Sequence, residues 1–294
     1  MSMPQPPTPS SSHGKAPILE CVREGFGFLA RDWRAIAPVA LIGAVVLTPV
    51  NLWSEGAQAR HDLGGMLAAG LAAGLLQTPV LAAYFRRAAS RGATPLALKL
   101  GADELNLASV TLAVTFFFLI LALVALFVLG FALAALASRA GIDMNALQAM
   151  DPAEAQKRIV AAIGRDGQLF VVGMVVACAA VFLWFSARLA LSYPATVAEG
   201  RMQVFSTWRW TKGNATSVAA CLLLVAIGAV ALYMLAMAPF ALLIRAVFGE
   251  AALTMPANPG YWILSYLSSA AVLALVHAPY AAMLAYLYRG LRPA

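Results

Sequence analysis

Two polar residues lie inside long apolar stretches, and each precedes a proline by two positions. Gln77 precedes Pro79, and His277 precedes Pro279. A proline within a helix frees a backbone carbonyl, and a polar side chain at that depth can bind a substrate or satisfy the carbonyl. The four residues are therefore candidates for lining a cavity. The alternative is a structural role, in which His277 stays neutral and both polar side chains hydrogen-bond to freed carbonyls or neighbouring helices.

A second group of candidates consists of basic residues at or near the ends of apolar stretches, many with aromatic neighbours. Basic groups at such positions reach lipid phosphates, and Trp and Tyr favour the headgroup layer. For Arg188 the alternatives are an ion pair with Glu199 or simple snorkelling to the interface. The pattern predicts contacts with anionic headgroups of membrane lipids on the cytoplasmic side at Arg86, Arg87, Arg91, Arg188, Arg209 and Lys212.

The sequence has none of the residue patterns that mark common catalytic or metal sites. It lacks HExxH, GxSxG and P-loop motifs, and adjacent apolar stretches carry no paired aspartates. Cys21, Cys178 and Cys221 have no CxxC spacing and suit packing in apolar surroundings. We therefore expect no catalytic residues, no cofactor and no metal.

The composition places these residues in a membrane. The 294-residue chain is 62% hydrophobic and 11% charged, whereas soluble domains carry about 25% charged residues. A soluble fold of this size would need more polar surface, so lipid must surround much of the chain. The net charge of +7 comes from scattered basic residues. This distribution indicates membrane orientation and argues against a nucleic-acid partner.

Six apolar stretches are long enough to cross a bilayer, which takes roughly 20 residues. None contains Asp, Glu or Lys, which argues against ion-coupled transport because intramembrane charges mark ion pathways. The predicted fold is an all-α polytopic membrane bundle of six transmembrane helices, with spans near residues 35–53, 65–85, 108–137, 169–186, 218–244 and 261–287.

The segments outside the spans are also predictable. Residues 1–17 are rich in Pro and Ser and have no apolar core, so we expect a disordered cytoplasmic tail and no signal peptide. Residues 18–294 are predicted to form a single transmembrane domain. In the largest outer loop, the capping box that begins at Asp151 predicts a helix near residues 151–164.

The distribution of basic residues predicts the orientation. Fourteen of the twenty Lys and Arg residues fall on the side that holds both termini. Because basic loops stay in the cytoplasm, the N-terminus and the C-terminus are predicted to be cytoplasmic. The opposite side holds the other six, which are Arg60, Arg139, Lys157, Arg158, Arg165 and Arg245.

An amphipathic stretch precedes each odd-numbered span, at residues 18–34, 96–107 and 201–214. In each stretch, apolar residues recur every three or four positions with charged residues opposite. This pattern is typical of a helix that lies in the headgroup plane. The chain is therefore predicted to consist of three hairpins, each preceded by a cytoplasmic amphipathic helix.

One segment carries a family resemblance. Arg188 ends an apolar span, Pro194 and Glu199 follow, and residues 208–214 read WRWTKGN before the next span. This pattern resembles uncharacterised bacterial six-helix inner-membrane proteins related to the membrane domain of glycerophosphoryl diester phosphodiesterase. The resemblance covers about the last third of the chain by motif and the rest by topology. It implies a multi-pass protein of the bacterial inner (cytoplasmic) membrane. The resemblance does not extend to the soluble phosphodiesterase barrel that accompanies some relatives, so that activity is not implied.

These observations together predict an integral inner-membrane protein without enzymatic activity. Its expected role is to organise the membrane, to interact with lipids or to bind another membrane protein. The alternative is a transporter or lipid-translocating protein with a cavity near Gln77 and His277. A third class, an intramembrane enzyme acting on lipids, would depend on His277 or Arg188.

Overall fold

A computed structural model describes residues 17–89, 98–141, 150, 154, 157–158, 161–256 and 258–292. The predicted loop helix near residues 151–164 therefore lies largely outside the described residues, as do Arg91 and nearly all of the predicted tail. Regular secondary structure in the described ranges is entirely helical. Its α-helices are α1 (Ile18–Ala59), α2 (Leu63–Leu76), α3 (Thr78–Ala88), α4 (Ala102–Arg139), α5 (Gly164–Leu189), α6 (Ser192–Glu199), α7 (Thr207–Trp210), α8 (Ala215–Phe248), α9 (Pro259–Ala271) and α10 (Ala278–Leu291).

Six helical segments are long and apolar enough to cross a membrane. Each contains one of the spans predicted from the sequence, so the prediction of an all-α chain with six transmembrane helices is confirmed at that level. In the described part of the chain these segments are Ile18–Ala59, Leu63–Ala88, Ala102–Arg139, Gly164–Glu199, Ala215–Phe248 and Pro259–Leu291.

The segments that precede the spans differ from one another. α1 runs without interruption through the predicted amphipathic stretch at residues 18–34 and the first span, and it includes Pro38 and Pro49. In residues 201–214, by contrast, only the four residues of α7 are α-helical. Side chains of α6 hold the backbone here in turns, because Ser192 donates to the Val204 carbonyl and Thr196 accepts from the Gln203 N–H.

Both prolines singled out in the second and sixth spans interrupt regular helix. Gln77 separates α2 from α3 as a turn residue, and Pro79 lies in the first turn of α3. A π-helical turn, Val272–His277, separates α9 from α10, and Pro279 lies in the first turn of α10. A proline lacks the N–H that would continue the ladder of hydrogen bonds, which explains both interruptions.

The chain divides into two compact units. The first unit comprises Met1–Val114 and Ala187–Ala294, as far as they are described, and α10 is its central helix. Every residue of α10 from position 281 to position 288 is buried. Its neighbours are α1, α3, α6 and α8. A helix that is buried on all sides needs apolar residues on all faces, and α10 has them.

Small residues allow α1 to approach its neighbours closely. A Cβ atom at Gly25 would lie 2.9 Å from the carbonyl oxygen of Pro279. At Gly43 it would lie 2.8 Å from a methyl group of Leu273 and 2.9 Å from one of Val80. Real Cβ contacts are not this short, so a larger residue would force the neighbouring side chains to move at Gly43 and the backbone of α10 to move at Gly25.

The second unit, Thr115–Ser186 as far as it is described, holds most of α4 and α5. Aromatic rings join the two helices, with centroid distances of 5.1 Å between Phe117 and Phe185 and 5.8 Å between Phe118 and Phe182. An apolar groove of about 260 Å³ lies beside them, and Leu121, Cys178 and Val181 are among its lining residues. We call it the apolar groove.

Candidate functional site

A cleft of about 490 Å³ lies between α1, α8 and α9 in the first unit. We call it the polar cleft. Its apolar wall includes Met234, Met237 and Leu264. The polar side chains of its wall are those of Asn51, Glu55, Tyr233, Tyr261, Ser265, Ser268 and Ser269. Because all three helices belong to membrane-spanning segments, this concentration of polar groups marks the cleft as the candidate functional site.

Helical spacing brings these side chains to the cleft. On α9, Ser265, Ser268 and Ser269 are three and four residues apart and therefore share one face of the helix. Asn51 and Glu55 are one turn apart near the end of α1 and share a face in the same way. α1 and α9 thus each turn one polar stripe toward the same space.

Hydrogen bonds across the cleft connect the helices in pairs. The Asn51 amide donates to the Ser269 hydroxyl at 3.0 Å, which joins α1 to α9. The Tyr261 hydroxyl donates to the Glu55 carboxylate nearer the end of the same two helices. Tyr233 of α8 and Ser268 of α9 share a hydroxyl–hydroxyl bond of 2.7 Å. Polar groups at membrane depth need such partners, and these bonds fix the shape of the wall.

The polar cleft is open on one side. Met234 is 60% exposed in the middle of the spanning helix α8, so the cleft opens sideways to the surroundings of that helix. Glu55 is also exposed and lies at the mouth, near the end of α1.

Arg86 and Arg87 are engaged in ion pairs within the first unit. Arg86 donates to Glu104 at 2.5 Å, and its Nη1 atom lies 3.8 Å from Asp103. Arg87 binds Asp32 through two hydrogen bonds of 2.7 and 3.0 Å. The Glu104 side chain is only 5% exposed. These two arginines thus join α3 to the beginning of α4 and to α1, where the sequence analysis predicts headgroup contacts.

Arg188 packs inside the protein. Its guanidinium lies 4.7 Å from the centre of the Trp208 ring and donates to the Thr211 hydroxyl at 3.2 Å. Glu199, the partner suggested by the sequence, instead accepts from Arg201 at 3.1 Å. A cation over an aromatic face is favourable where water is excluded, so Arg188 anchors the turns around α7. Two further predicted headgroup contacts, Arg209 and Lys212, are exposed.

The four predicted cavity residues, Gln77, Pro79, His277 and Pro279, line neither the polar cleft nor the apolar groove. Gln77 and His277 are each half-buried, and in the described part of the chain no hydrogen bond joins them. The Nδ1 atom of His277 is buried without a hydrogen-bond partner in these ranges. The Leu75 carbonyl, which Pro79 leaves without its helical donor, accepts from the Thr78 hydroxyl at 2.7 Å. Gln77 therefore does not supply that bond.

The structure also brings together two cysteines that the sequence does not connect. Cys21 of α1 and Cys221 of α8 are both buried, and their side chains are hydrogen-bonded to each other. Next to Cys21 in the sequence, Glu20 accepts a hydrogen bond of 2.7 Å from the Tyr286 hydroxyl. Among the described residues, no group of three His, Cys, Asp or Glu side chains is placed to hold a metal ion.

Comparisons of the chain with protein-family models, with curated proteins and with solved structures find no match. The resemblance to the phosphodiesterase-related membrane domain therefore stays a prediction.

The polar cleft is not among the sites predicted from the sequence, although the sequence contains a signal for it. Asn51 and Glu55 share one helical face, and Ser265, Ser268 and Ser269 share another. Polar residues recur at helical spacing near one end of each of these two spans. Such a pattern indicates that the two spans share a polar surface. The sequence alone does not say that these two spans are neighbours.

Proposed function

We propose that this chain is a lipid-interacting integral membrane protein that binds an amphipathic molecule in the polar cleft and carries out no reaction on it. One observation carries the proposal: a cleft of about 490 Å³ with a polar wall opens sideways from membrane-spanning helices. Small-molecule sites have volumes of about 300–1,000 Å³. The cleft therefore has room for a polar head and the first part of an alkyl chain.

The arrangement of the wall suits a ligand with two different ends. Polar groups at membrane depth are costly, and a purely structural contact between helices needs few of them. Here the polar head would lie near Glu55, Tyr261 and Asn51, where hydrogen-bonding groups converge. The apolar part would leave through the opening beside Met234 and continue into the hydrocarbon of the bilayer.

We also propose a localisation and a membrane orientation for the protein. Both termini lie in the cytoplasm of a bacterium, the chain crosses the inner membrane as three hairpins, and the mouth of the polar cleft faces outward. The excess of basic residues on the side of the termini supports this orientation. On the cytoplasmic side, the exposed Arg209 and Lys212 are the residues best placed to contact anionic headgroups.

Translocation of the same ligand across the membrane is the alternative function. The polar wall at membrane depth favours it, since a transported headgroup needs polar partners along its path. The close packing of the same unit opposes it, because the apolar side chains of Leu47, Val80 and Leu273 are buried there. Translocation therefore requires that these side chains separate, whereas binding does not.

Photolabelling with a lipid that carries a diazirine in its acyl chain tests the proposal. The protein is reconstituted in bilayers, and labelled peptides are mapped by mass spectrometry. We expect strong labelling of the α8 segment from Met234 to Ala241, beside the opening of the cleft. The variant Ser265→Trp fills the cleft and is expected to remove that labelling.

Ala125→Trp is the matched control, because it adds the same side chain to the apolar groove of the second unit. This variant should leave the labelling of α8 unchanged. Both variants are first checked for wild-type elution and helix content. The proposal is wrong if a folded Ser265→Trp protein keeps the wild-type labelling of α8.

A further inference from the structure

We infer that the polar cleft selects amphipathic cations, such as long-chain ammonium compounds, over neutral and anionic amphiphiles. This inference rests on the proposed function, because it specifies the chemistry of the molecule that the cleft binds. It follows from the charge of the wall, the partners of Glu55 and the kinds of groups beside it.

The wall of the polar cleft carries one acidic side chain, that of Glu55, and none of its lining residues is Lys, Arg or His. Within the described ranges Glu55 forms no ion pair with another side chain. A carboxylate at the edge of a bilayer without a basic partner attracts cations more strongly than it would in water, because the effective dielectric constant is lower. It repels phosphate and sulfonate groups for the same reason.

The groups near Glu55 suit a cation as well. Tyr261 holds the carboxylate in place by donating its hydroxyl hydrogen to one oxygen. The rings of Tyr233 and Tyr261 offer faces that attract ammonium groups, and the thioethers of Met234 and Met237 are polarisable surfaces. A phosphate would instead need guanidinium, ammonium or clustered backbone N–H donors, and the lining side chains provide no cationic donor.

A second acidic residue provides a matched control. Glu250 follows the end of α8, and its carboxylate pairs with Arg245. It is not among the lining residues of the polar cleft. Glu250→Gln and Glu55→Gln therefore remove the same charge, but only Glu55→Gln changes the cleft. The glutamine at position 55 retains an acceptor for the Tyr261 hydroxyl, so the fold is expected to persist.

Three fluorescent amphiphiles with the same alkyl chain test the inference. Their headgroups are trimethylammonium, hydroxyl and sulfonate, and their binding is measured with the full chain in nanodiscs of zwitterionic lipid. Binding that remains in Ser265→Trp is subtracted as partition into lipid. We expect the ammonium compound to bind about tenfold more tightly than the hydroxyl compound, a difference of about 1.4 kcal/mol, and the sulfonate to bind most weakly.

The variants separate the possible outcomes. Glu55→Gln is expected to remove the tenfold preference, and Glu250→Gln is expected to keep it. If the ammonium and hydroxyl compounds bind wild type equally, or if Glu55→Gln keeps the preference, the inference is overturned while the proposed function stands. If none of the three compounds shows binding that depends on Ser265, the proposed function fails together with the inference.

Discussion

The last transmembrane segment and the fourth are both apolar, yet their surroundings differ. In the segment Pro259–Leu291, 61% of the most apolar 18-residue window is buried, whereas the corresponding window of Gly164–Glu199 has no buried residue. The buried helix α10 places Ala281, Ala282 and Ala285 beside larger side chains. The exposed part of α5 instead presents valine, leucine and phenylalanine outward.

This difference indicates where specificity resides. Hydrocarbon can replace protein contacts around an apolar helix at little cost, so the second unit does not depend on a close fit of particular side chains. The first unit does depend on such a fit around α10, and it also holds the polar cleft. The apolar groove of the second unit has almost no polar atoms to distinguish one ligand from another. Selective binding is therefore expected in the first unit.

The largest expected contrast comes from shortening one leucine in each region. Leu284 is fully buried in α10, and Leu126 of α4 is 64% exposed. Leu284→Ala should lower the free energy of unfolding by about 2–5 kcal/mol, because it leaves a cavity. Leu126→Ala should lower it by less than about 1 kcal/mol, because lipid fills the space. Unfolding by SDS in mixed micelles measures both values, and equal losses would contradict the comparison.

Enlarging a glycine in each region should give the next largest contrast. Gly25→Val places atoms against the Pro279 carbonyl and should destabilise the protein by about 1–3 kcal/mol through overpacking. Gly173→Val in α5 meets open space and should have little effect. The same unfolding assay measures both variants. A Gly25→Val protein as stable as Gly173→Val would show that α1 and α10 do not cross closely.

Ion pairs allow a finer comparison within the first unit. One pair lies near the beginning of α4, and the other lies at the end of α8. Double-mutant cycles with Arg86→Gln and Glu104→Gln should give a coupling energy of about 1–2 kcal/mol, because Glu104 is nearly buried. The exposed pair of Arg245 and Glu250 should give less than about 0.5 kcal/mol. Similar coupling in the two cycles would mean that Arg86 is solvated and free to bind lipid headgroups.

The smallest expected effect comes from removing single hydroxyl groups. Tyr286→Phe loses the bond to Glu20 and should lower the free energy of unfolding by about 1 kcal/mol. Ser186→Ala loses a bond to the Phe182 carbonyl within its own helix and should change stability little. Thermal unfolding in detergent, followed by circular dichroism, compares the two. A larger loss for Ser186→Ala would reverse the expected ranking of the two units.

The six spans could be predicted from the sequence because the bilayer imposes a length and an apolar composition on each. The interruptions near Pro79 and Pro279 were also foreseeable, since proline removes a backbone donor. The turns at residues 201–214 were not, because the apolar spacing there is helical. Two hydrogen bonds to residues several positions earlier override that spacing: Ser192 donates to the Val204 carbonyl, and Thr196 accepts from the Gln203 N–H.

The polar cleft could not be predicted from one sequence, for a physical reason. One wall comes from α1 and the others come from α8 and α9, far along the chain, and the bond from Asn51 to Ser269 spans 218 positions. Sequence spacing assigns residues to a face of one helix, but it does not say which helix that face meets. The same limit explains why Arg87 was not paired with Asp32, 55 positions away.

The position of α10 in the chain has a consequence for biosynthesis. This central helix leaves the ribosome after α1, α3 and α8, which pack around it. Those helices are therefore synthesised before the helix that fills the close crossing at Gly25. The first unit can consequently complete its packing only after α10 has been made.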